Sequence, residues 1–284
     1  MPLPEGFDVE QFVRDVLAED LGAGDATSNA TIPADARFTA EMRAREPMTM
    51  AGLELAAAFF RALDPAIEIE ALASDGDQVK AGAILMCVGG NARAMLAAER
   101  CALNTLQHLS GIATLTRRYV DAIAGTGATL LDTRKTIPRL RVLEKYAARM
   151  GGAQNHRMRL DDGVLIKDNH VAVCGGVSEA VRRAKAANTQ LQVQVEVDRL
   201  DQIEPALAAG ADRLLLDNMP PGVLREAVAM VAGRVPLEAS GGVRLETIRA
   251  IAETGVDYIS LGRITQSAPA VDIGLDYSVN SLSR

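Results

Sequence analysis

The sequence has no tryptophan, and aromatic residues make up only 3% of its 284 positions. Nucleic-acid surfaces need stacking rings or a basic face, so a chain this poor in rings, with a formal net charge of −7, is not expected to bind nucleic acid. Cysteine is scarce as well. Cys87, Cys101 and Cys174 are odd in number and far apart, which excludes a disulfide framework or a paired zinc site and leaves buried apolar thiols as the expectation. No apolar run approaches the roughly 18 residues of a membrane span. The opening MPLPEGFDVE is acidic and polar, without an export signal, so the expected location is cytoplasmic, with no membrane partner. No repeat, low-complexity segment or Pro/Gly/Ser linker is visible. What is present is a 48% hydrophobic, 24% charged composition, enough for a substantial buried core.

The charge is unevenly spread. Between Arg134 and Arg159 lie Arg134, Lys135, Arg139, Arg141, Lys145, Arg149, Arg157 and Arg159, with His156, against one carboxylate, Glu144. Arg141, Lys145 and Arg149 recur every four residues in RVLEKYAARM and are expected to form a solvated helix face. Arg134, Lys135, Arg157 and Lys167 follow no helical repeat and sit beside expected strand ends.

From about residue 128, short β-type runs alternate with amphipathic helical runs, the pattern of a parallel sheet or barrel. The expected strands are ATLLD (128–132), GVLIK (163–167), LQVQVEV (191–197), RLLLD (213–217), VPLEA (235–239) and VDYISLG (256–262). Six are visible and a seventh could precede residue 128, so the fold class is α/β: an incomplete parallel βα barrel of about six or seven strands behind an α+β amino-terminal domain. That first domain is drawn from residues 1–110, with a helix in DVEQFVRDVLAED and strands in ARFTAEMRA and AIEIEALASDGDQVKAGAILMCVG. Residues 111–284 form the barrel domain, and the last residues are expected to pack back on the first.

Barrel active sites form at the carboxyl ends of the strands. Here those ends read Asp132-Thr133-Arg134-Lys135, Lys167-Asp168-Asn169-His170, Glu196-Val197-Asp198, Asp217-Asn218, Glu238-Ala239-Ser240-Gly241-Gly242 and Ser260-Leu261-Gly262-Arg263. All six are polar or glycine-rich, where ordinary loop starts would account for one or two. The last two strand ends suit a phosphate, because glycines let backbone N–H groups approach and a helix start adds its dipole. Glu196 and Asp217 suit sugar hydroxyls or a Mg²⁺ carrying a polyphosphate; an ion pair with Lys135 or Lys167 is the plainer alternative. Arg134, Lys135, His156, Arg157 and Lys167 are the groups that clamp carboxylates and pyrophosphate. Two kinds of anion are implied: a sugar phosphate, and one rich in carboxylate or pyrophosphate.

The stretches EDLGAGDATS, AERCALNTLQHLSGIAT, DTRKTIPRLRVLEKYAARMGGAQNHRMRLDDGVLIKDNH, LEASGGV and DYISLGRIT together resemble the quinolinate phosphoribosyltransferases. The resemblance implies an enzyme of NAD biosynthesis that joins quinolinate to 5-phosphoribosyl-1-pyrophosphate with Mg²⁺, releasing pyrophosphate and CO₂ and leaving nicotinate mononucleotide. It implies that Arg100, Arg134, His156, Arg157 and Lys167 line the quinolinate site, with Lys135 facing the pyrophosphate and Thr133 among the substrate-binding residues. It assigns Glu196 and Asp217 to the ribose and metal, and Ser240, Gly241, Gly242, Ser260, Leu261 and Gly262 to the 5′-phosphate. Lys135, Lys167, Glu196 and Asp217 are the expected catalytic set. It also implies a homodimer or larger assembly in which Arg100 comes from the neighbouring subunit.

Arg139 and Arg159 stand where the family commonly has small residues, often glycine, and Gln154 lies in a loop usually richer in glycine. His108 is expected to be a packed residue at the domain junction and His170 a loop or supporting residue. Three other readings compete: a molybdenum-transport-associated paralogue, a Schiff-base aldolase using Lys167, and a non-catalytic sugar-phosphate sensor, which would have little use for both a carboxylate-clamping basic set and a metal-suited acidic pair.

Overall fold

In the computed structural model, which describes residues 3–4 and 6–277, the chain forms two compact units. They comprise residues 1–115, 142–151 and 268–284, and residues 116–141 and 152–267. In chain order the first part runs α1 (Val9–Leu21), α2 (Ala26–Thr31), β1 (Arg37–Ala44), β2 (Met48–Thr49), α3 (Leu53–Leu63), β3 (Glu68–Ala71), β4 (Gln78–Val79), β5 (Ile84–Asn91) and the long α4 (Ala92–Ala122). Asp8 caps α1 and Asp25 caps α2, each carboxylate accepting from the first-turn backbone N–H groups. β6 (Thr129–Leu131), α5 (Arg141–Met150), β7 (Val164–Ile166), α6 (Asp168–Cys174), α7 (Val177–Ala186), β8 (Val193–Val197), α8 (Ile203–Ala208), β9 (Arg213–Asp217), α9 (Pro221–Val231), β10 (Leu237–Ser240), α10 (Leu245–Ala252), β11 (Tyr258–Ser260), α11 (Arg263–Gln266) and β12 (Ile273–Tyr277) follow.

In the first unit an antiparallel sheet has the order β12-β1-β5-β3. The final strand, β12, pairs with β1, Met42 opposite Leu275. Leu55, Phe59 and Phe60 of α3 and Leu85 and Met86 of β5 are buried in its core. Asp75 ties the start of α3 by accepting from the N–H groups of Gly52 and Leu53, and also accepts from the Tyr146 hydroxyl.

The second unit is a six-stranded sheet in the order β6-β11-β10-β9-β8-β7, its pairs parallel. The first strand pairs with the last and not with β7, so the barrel is open between β6 and β7. The seventh strand allowed for before residue 128 does not join this sheet; the outer edge of β6 is instead touched by an isolated parallel bridge, Leu131 to Gln154. Alternation decides what each strand shows to which side. Val193, Val195, Val197, Leu214, Leu216, Leu237, Ala239 and Ile259 are buried. The intervening positions Gln194, Glu196, Arg213, Asp217, Glu238, Ser240, Tyr258 and Ser260 point to the barrel interior and its mouth. No helix among the described residues is long and apolar enough to cross a membrane.

The solvated helix face expected for Arg141, Lys145 and Arg149 is not there. Residues 143–148 of α5 are all buried, and Lys145 and Glu144 are fully so. Arg141 is half-buried and donates to the Thr136 hydroxyl (3.0 Å) and the Met158 carbonyl (3.2 Å), while the Arg149 guanidinium lies 5.8 Å from the Tyr146 ring centre. A four-residue spacing defines a helix face but not what covers it, and here the helix is enclosed nearly all round. The thiols also differ from expectation: all three are free, but only Cys101 is buried.

Candidate active site

A cleft of about 870 Å³ opens at the carboxyl ends of the six parallel strands. Thr133, Arg134, Lys135, His156, Arg157, Lys167, Glu196, Asp217, Ser240, Gly241, Gly242, Ser260, Leu261 and Gly262 all line it. Arg100 does not; it is exposed on α4, 3.2 Å from its neighbour Glu99.

The basic side hangs from one buried carboxylate. Asp132, at the end of β6, is fully buried and accepts from the His156 backbone N–H (2.8 Å) and from the Asn155 side chain, which fixes the Asn155-His156-Arg157 loop. Arg157 donates to the Gly163 carbonyl at 2.7 Å. Burial first, and then the like charge of Arg134, hold the Arg157 guanidinium below its ordinary pKa, against the opposing pull of Asp162. The Arg134 Nε is buried without a hydrogen bond among the described residues. Two desolvated guanidiniums that repel each other form a ready receptor for a carboxylate, which would supply both the missing acceptor and the missing charge. Lys135 is held differently. The Thr133 hydroxyl accepts its backbone N–H, the Thr265 hydroxyl donates to its carbonyl, and its side chain runs over Gly262, where an added Cβ would lie 2.6 Å from the Lys135 Cδ.

Opposite stand the acids. Glu196 is half-buried, and its carboxyl is raised above the ordinary value by burial and then by Asp217, with Lys167 acting the other way. Among the described residues no ion pair joins Lys135 or Lys167 to Glu196 or Asp217, so the plainer ion-pair alternative is not realised. Asp217 instead accepts from the Asn218 amide at 2.5 Å. Asn218 adopts a left-handed φ of 56° and donates its backbone N–H to the Ser240 carbonyl. Gly241 (φ 90°) packs so tightly on it that a Cβ would lie 2.2 Å from the Asn218 Oδ1. Gly241 and Gly242 then lead through Val243 into α10.

Family models match both halves of the chain: quinolinate phosphoribosyl transferase, N-terminal domain, over residues 25–110, and quinolinate phosphoribosyl transferase, C-terminal domain, over residues 112–276. The chain belongs to the quinolinate phosphoribosyl transferase family. It is similar to the nicotinate-nucleotide pyrophosphorylase [carboxylating] of Mycobacterium leprae, 44% identical over 93% of this chain and 95% of that protein. A probable nicotinate-nucleotide pyrophosphorylase [carboxylating] of Bacillus subtilis is 40% identical over 97% and 95%. The solved nicotinate-nucleotide pyrophosphorylase of Francisella tularensis superposes with a TM-score of 0.92 at 41% identity, covering 98% of this chain and all of that one.

Within this family frame, three positions that depart from the expected pattern have local explanations or costs. Arg139 has φ 68°, a conformation that favours glycine, so a side chain sits where the backbone prefers none. Arg159 is exposed and pairs with Asp161 at 3.0 Å, and the backbone of Gln154 holds the edge of β6. His108 is half-buried, with Nε2 2.9 Å from the buried Glu144. His170 lies not in a loop but in the first turn of α6, its Nδ1 accepting the Lys167 N–H.

Reading by strand ends missed Gln194 and Arg213, one layer down, and gave no role to Glu238, which opens the fifth strand end. They occupy the same inward parity as Glu196, Asp217 and Ser240, two or four residues earlier on each strand. A polar residue at inward parity inside an apolar strand was the available signal.

Proposed function

We propose that this chain transfers the phosphoribosyl group of 5-phosphoribosyl-1-pyrophosphate to quinolinate with loss of CO₂, giving nicotinate mononucleotide and pyrophosphate. The observation that carries this reading is the division of one cleft into a desolvated guanidinium side, Arg134 and Arg157, and a carboxylate side, Glu196 and Asp217. A pyridine dicarboxylate suits the first. A ribose whose ring carbon becomes positive as pyrophosphate departs suits the second.

The C1–O bond to pyrophosphate breaks as the pyridine nitrogen bonds to C1. Glu196 and Asp217 offset the positive charge that develops on the ribose, and Lys135 the negative charge on the leaving group. The glycosylated ring is cationic, so it accepts the electron pair left when the adjacent carboxylate departs as CO₂, and that carbon then takes a proton. Arg134, Arg157 and Lys167 hold the acceptor in line; no covalent nucleophile is required. Glu196 and Asp217 would hold Mg²⁺ together with substrate oxygens, since this ion usually takes one or two carboxylates and keeps the rest of its shell for phosphate and water. When bound it neutralises charge on the pyrophosphate.

The ribose phosphate is assigned to Ser240, Gly241, Gly242, Ser260, Leu261 and Gly262. The working form is a homodimer or larger, with Arg100 of one subunit completing the neighbour's site, and the compartment is the cytoplasm. The Schiff-base reading has less support, because Lys167 is exposed and an imine-forming lysine needs desolvation.

The test is incubation with quinolinate, 5-phosphoribosyl-1-pyrophosphate and Mg²⁺ while following nicotinate mononucleotide, with nicotinate as the parallel acceptor. Product from quinolinate alone is expected. No product from quinolinate sinks the reading.

A further inference from the structure

Beneath the strand ends, four adjacent strands each place one polar side chain in the barrel interior: Gln194, Arg213, Glu238 and Tyr258. Glu238 is their hub. It is fully buried, and its Oε2 lies 2.8 Å from Gln194 Nε2, 2.7 Å from Arg213 Nη2 and 3.5 Å from His156 Nε2. The Arg213 guanidinium rests 3.9 Å from the Tyr258 ring centre. Burial alone would raise the Glu238 carboxyl, but His156 and Arg213 outweigh it and hold the group below the ordinary carboxylate range. The Oε1 atom is buried with no hydrogen bond among the described residues. The carboxylate also draws on the His156 ring and the Ser260 hydroxyl, which help to hold it ionised.

His156 is tied at its other edge. Its Nδ1 accepts the Arg157 backbone N–H at 2.8 Å. A nitrogen that accepts must keep its lone pair, so the neutral ring carries its proton on Nε2, the atom that faces Glu238. The opposite tautomer would set an Nδ1 proton against the Arg157 N–H and a bare Nε2 against a carboxylate. The charged groups around this ring are Glu238 and Arg213 from the sheet, Asp132 at the base of the loop, and Arg157 beside it, with Arg134 next to Arg157.

We propose that Glu238 is a positioning residue for the acceptor half of the reaction. It fixes His156 as the Nε2–H tautomer and thereby fixes the His156–Arg157 turn that presents the Arg157 guanidinium to the acceptor's carboxylates. Glu238 is among the residues that line the cleft, and in this scheme it acts through His156 and not on the acceptor itself. The inference rests on the acceptor-site reading given above.

The test uses the full chain and the variants Glu238→Leu and Glu238→Gln, the first removing the acceptor at similar volume and the second keeping one oxygen. Imidazole ¹⁵N shifts of the wild type come first. With only three histidines in the chain, His108→Gln and His170→Gln assign the His156 signals. An Nε2–H pattern is expected in the wild type and a tautomer average in Glu238→Leu. kcat/KM for quinolinate should fall about ten- to a hundredfold in Glu238→Leu, the range for one lost hydrogen bond to a charged group. KM for 5-phosphoribosyl-1-pyrophosphate should stay within about twofold, and Glu238→Gln should recover part of the loss. An Nδ1–H or averaged His156 in the wild type overturns the proposal, as does a folded Glu238→Leu protein with unchanged kcat/KM or with equal losses toward both substrates. Should Glu238→Leu not fold, the wild-type tautomer and the quinolinate-selective loss in Glu238→Gln decide. The tautomer is read without turnover, so a wild type that makes no nicotinate mononucleotide fails the proposed function separately.

Discussion

Replacing Gly241 by alanine tests the joint between the acidic pair and the last glycine loop. Two penalties apply. The left-handed φ of 90° costs an L-residue about 1–2 kcal/mol. The new Cβ would also stand 2.2 Å from the Asn218 Oδ1, 2.6 Å from its Cγ and 3.0 Å from its backbone N, so Asn218 must move. Moving it breaks the Asn218 N–H to Ser240 hydrogen bond, about 1 kcal/mol, and loosens the amide bond to Asp217, worth about 1.5 kcal/mol at the low end for a charged partner on an exposed residue. The total is about 3.5–4.5 kcal/mol. Gly242 is the internal control. Its φ is also left-handed at 62°, but a Cβ added there would lie 4.0 Å from the Asn218 Oδ1, ordinary contact distance, so Gly242→Ala should cost only the backbone strain, about 1–2 kcal/mol. Urea unfolding of the two variants should therefore differ by about 2.5 kcal/mol, roughly a factor of 70 in the folding equilibrium. The double variant Gly241→Ala/Asn218→Gly should recover about 1 kcal/mol or more, because glycine removes the side-chain clash and accepts the φ of position 218. Equal stabilities for Gly241→Ala and Gly242→Ala, or no coupling with Asn218→Gly, would refute the reasoning.

Three further outcomes are expected. Burial and Asp217 raise the Glu196 carboxyl above 4.5 in the folded chain, so the native state holds that proton more tightly than the unfolded one and stability falls as pH rises through the folded pKa. Glu196→Gln should therefore melt above the wild type at about pH 8 and close to it at about pH 4; an equal gap at both would count against the assigned environment. Asp75→Ala removes the acceptor shared by Gly52, Leu53 and Tyr146 and should cost about 2–4 kcal/mol in urea unfolding, against about 1–2 kcal/mol for Tyr146→Phe, which removes one of the three donors. Position 139 has a left-handed φ of 68°, so Arg139→Gly should be more stable than Arg139→Ala by about 1 kcal/mol in the same measurement, since both lose the arginine side chain and only glycine accepts that backbone; equal stabilities would count against the strain.

How much of the fold and site was legible in the sequence depended on which physical rule a residue obeyed. The six parallel strands could be read because short β-type apolar runs, such as the RLLLD of β9 and the VQVEV of β8, alternate along the chain with amphipathic helical runs, the pattern of a parallel βα fold. The strand-end residues could be read for the same reason: once the strands are placed, parallel winding brings their carboxyl ends together. The α5 cations could not. Their spacing is identical for a helix in water and a helix in a core, and only the packing of Leu143 through Ala148 separates the two. The open seam of the barrel was equally hidden, since the pairing of β6 with β11 and the Gln154 bridge are long-range facts with no local signal.

The deeper layer shows where strand-end reasoning stops. It asks what each strand finishes with, and so finds Glu196, Asp217, Glu238 and Ser240, but the inward parity that places them also places Gln194 and Arg213 below and joins Glu238 to that layer. Those residues bury polar groups at a cost that apolar side chains would avoid. Glu238 offsets that cost with Gln194 and Arg213 as direct partners and faces the His156 imidazole. A barrel selected only for stability would fill that level with valine and leucine, as it does on the outward face of the same strands. The polar layer is better explained as the support of the loop above it: Asp132 holds the backbone of His156 and Glu238 its ring. The position of Arg157, and with it the grip on an anionic acceptor, then follows from two buried carboxylates, one under the backbone of its loop and one against the neighbouring imidazole.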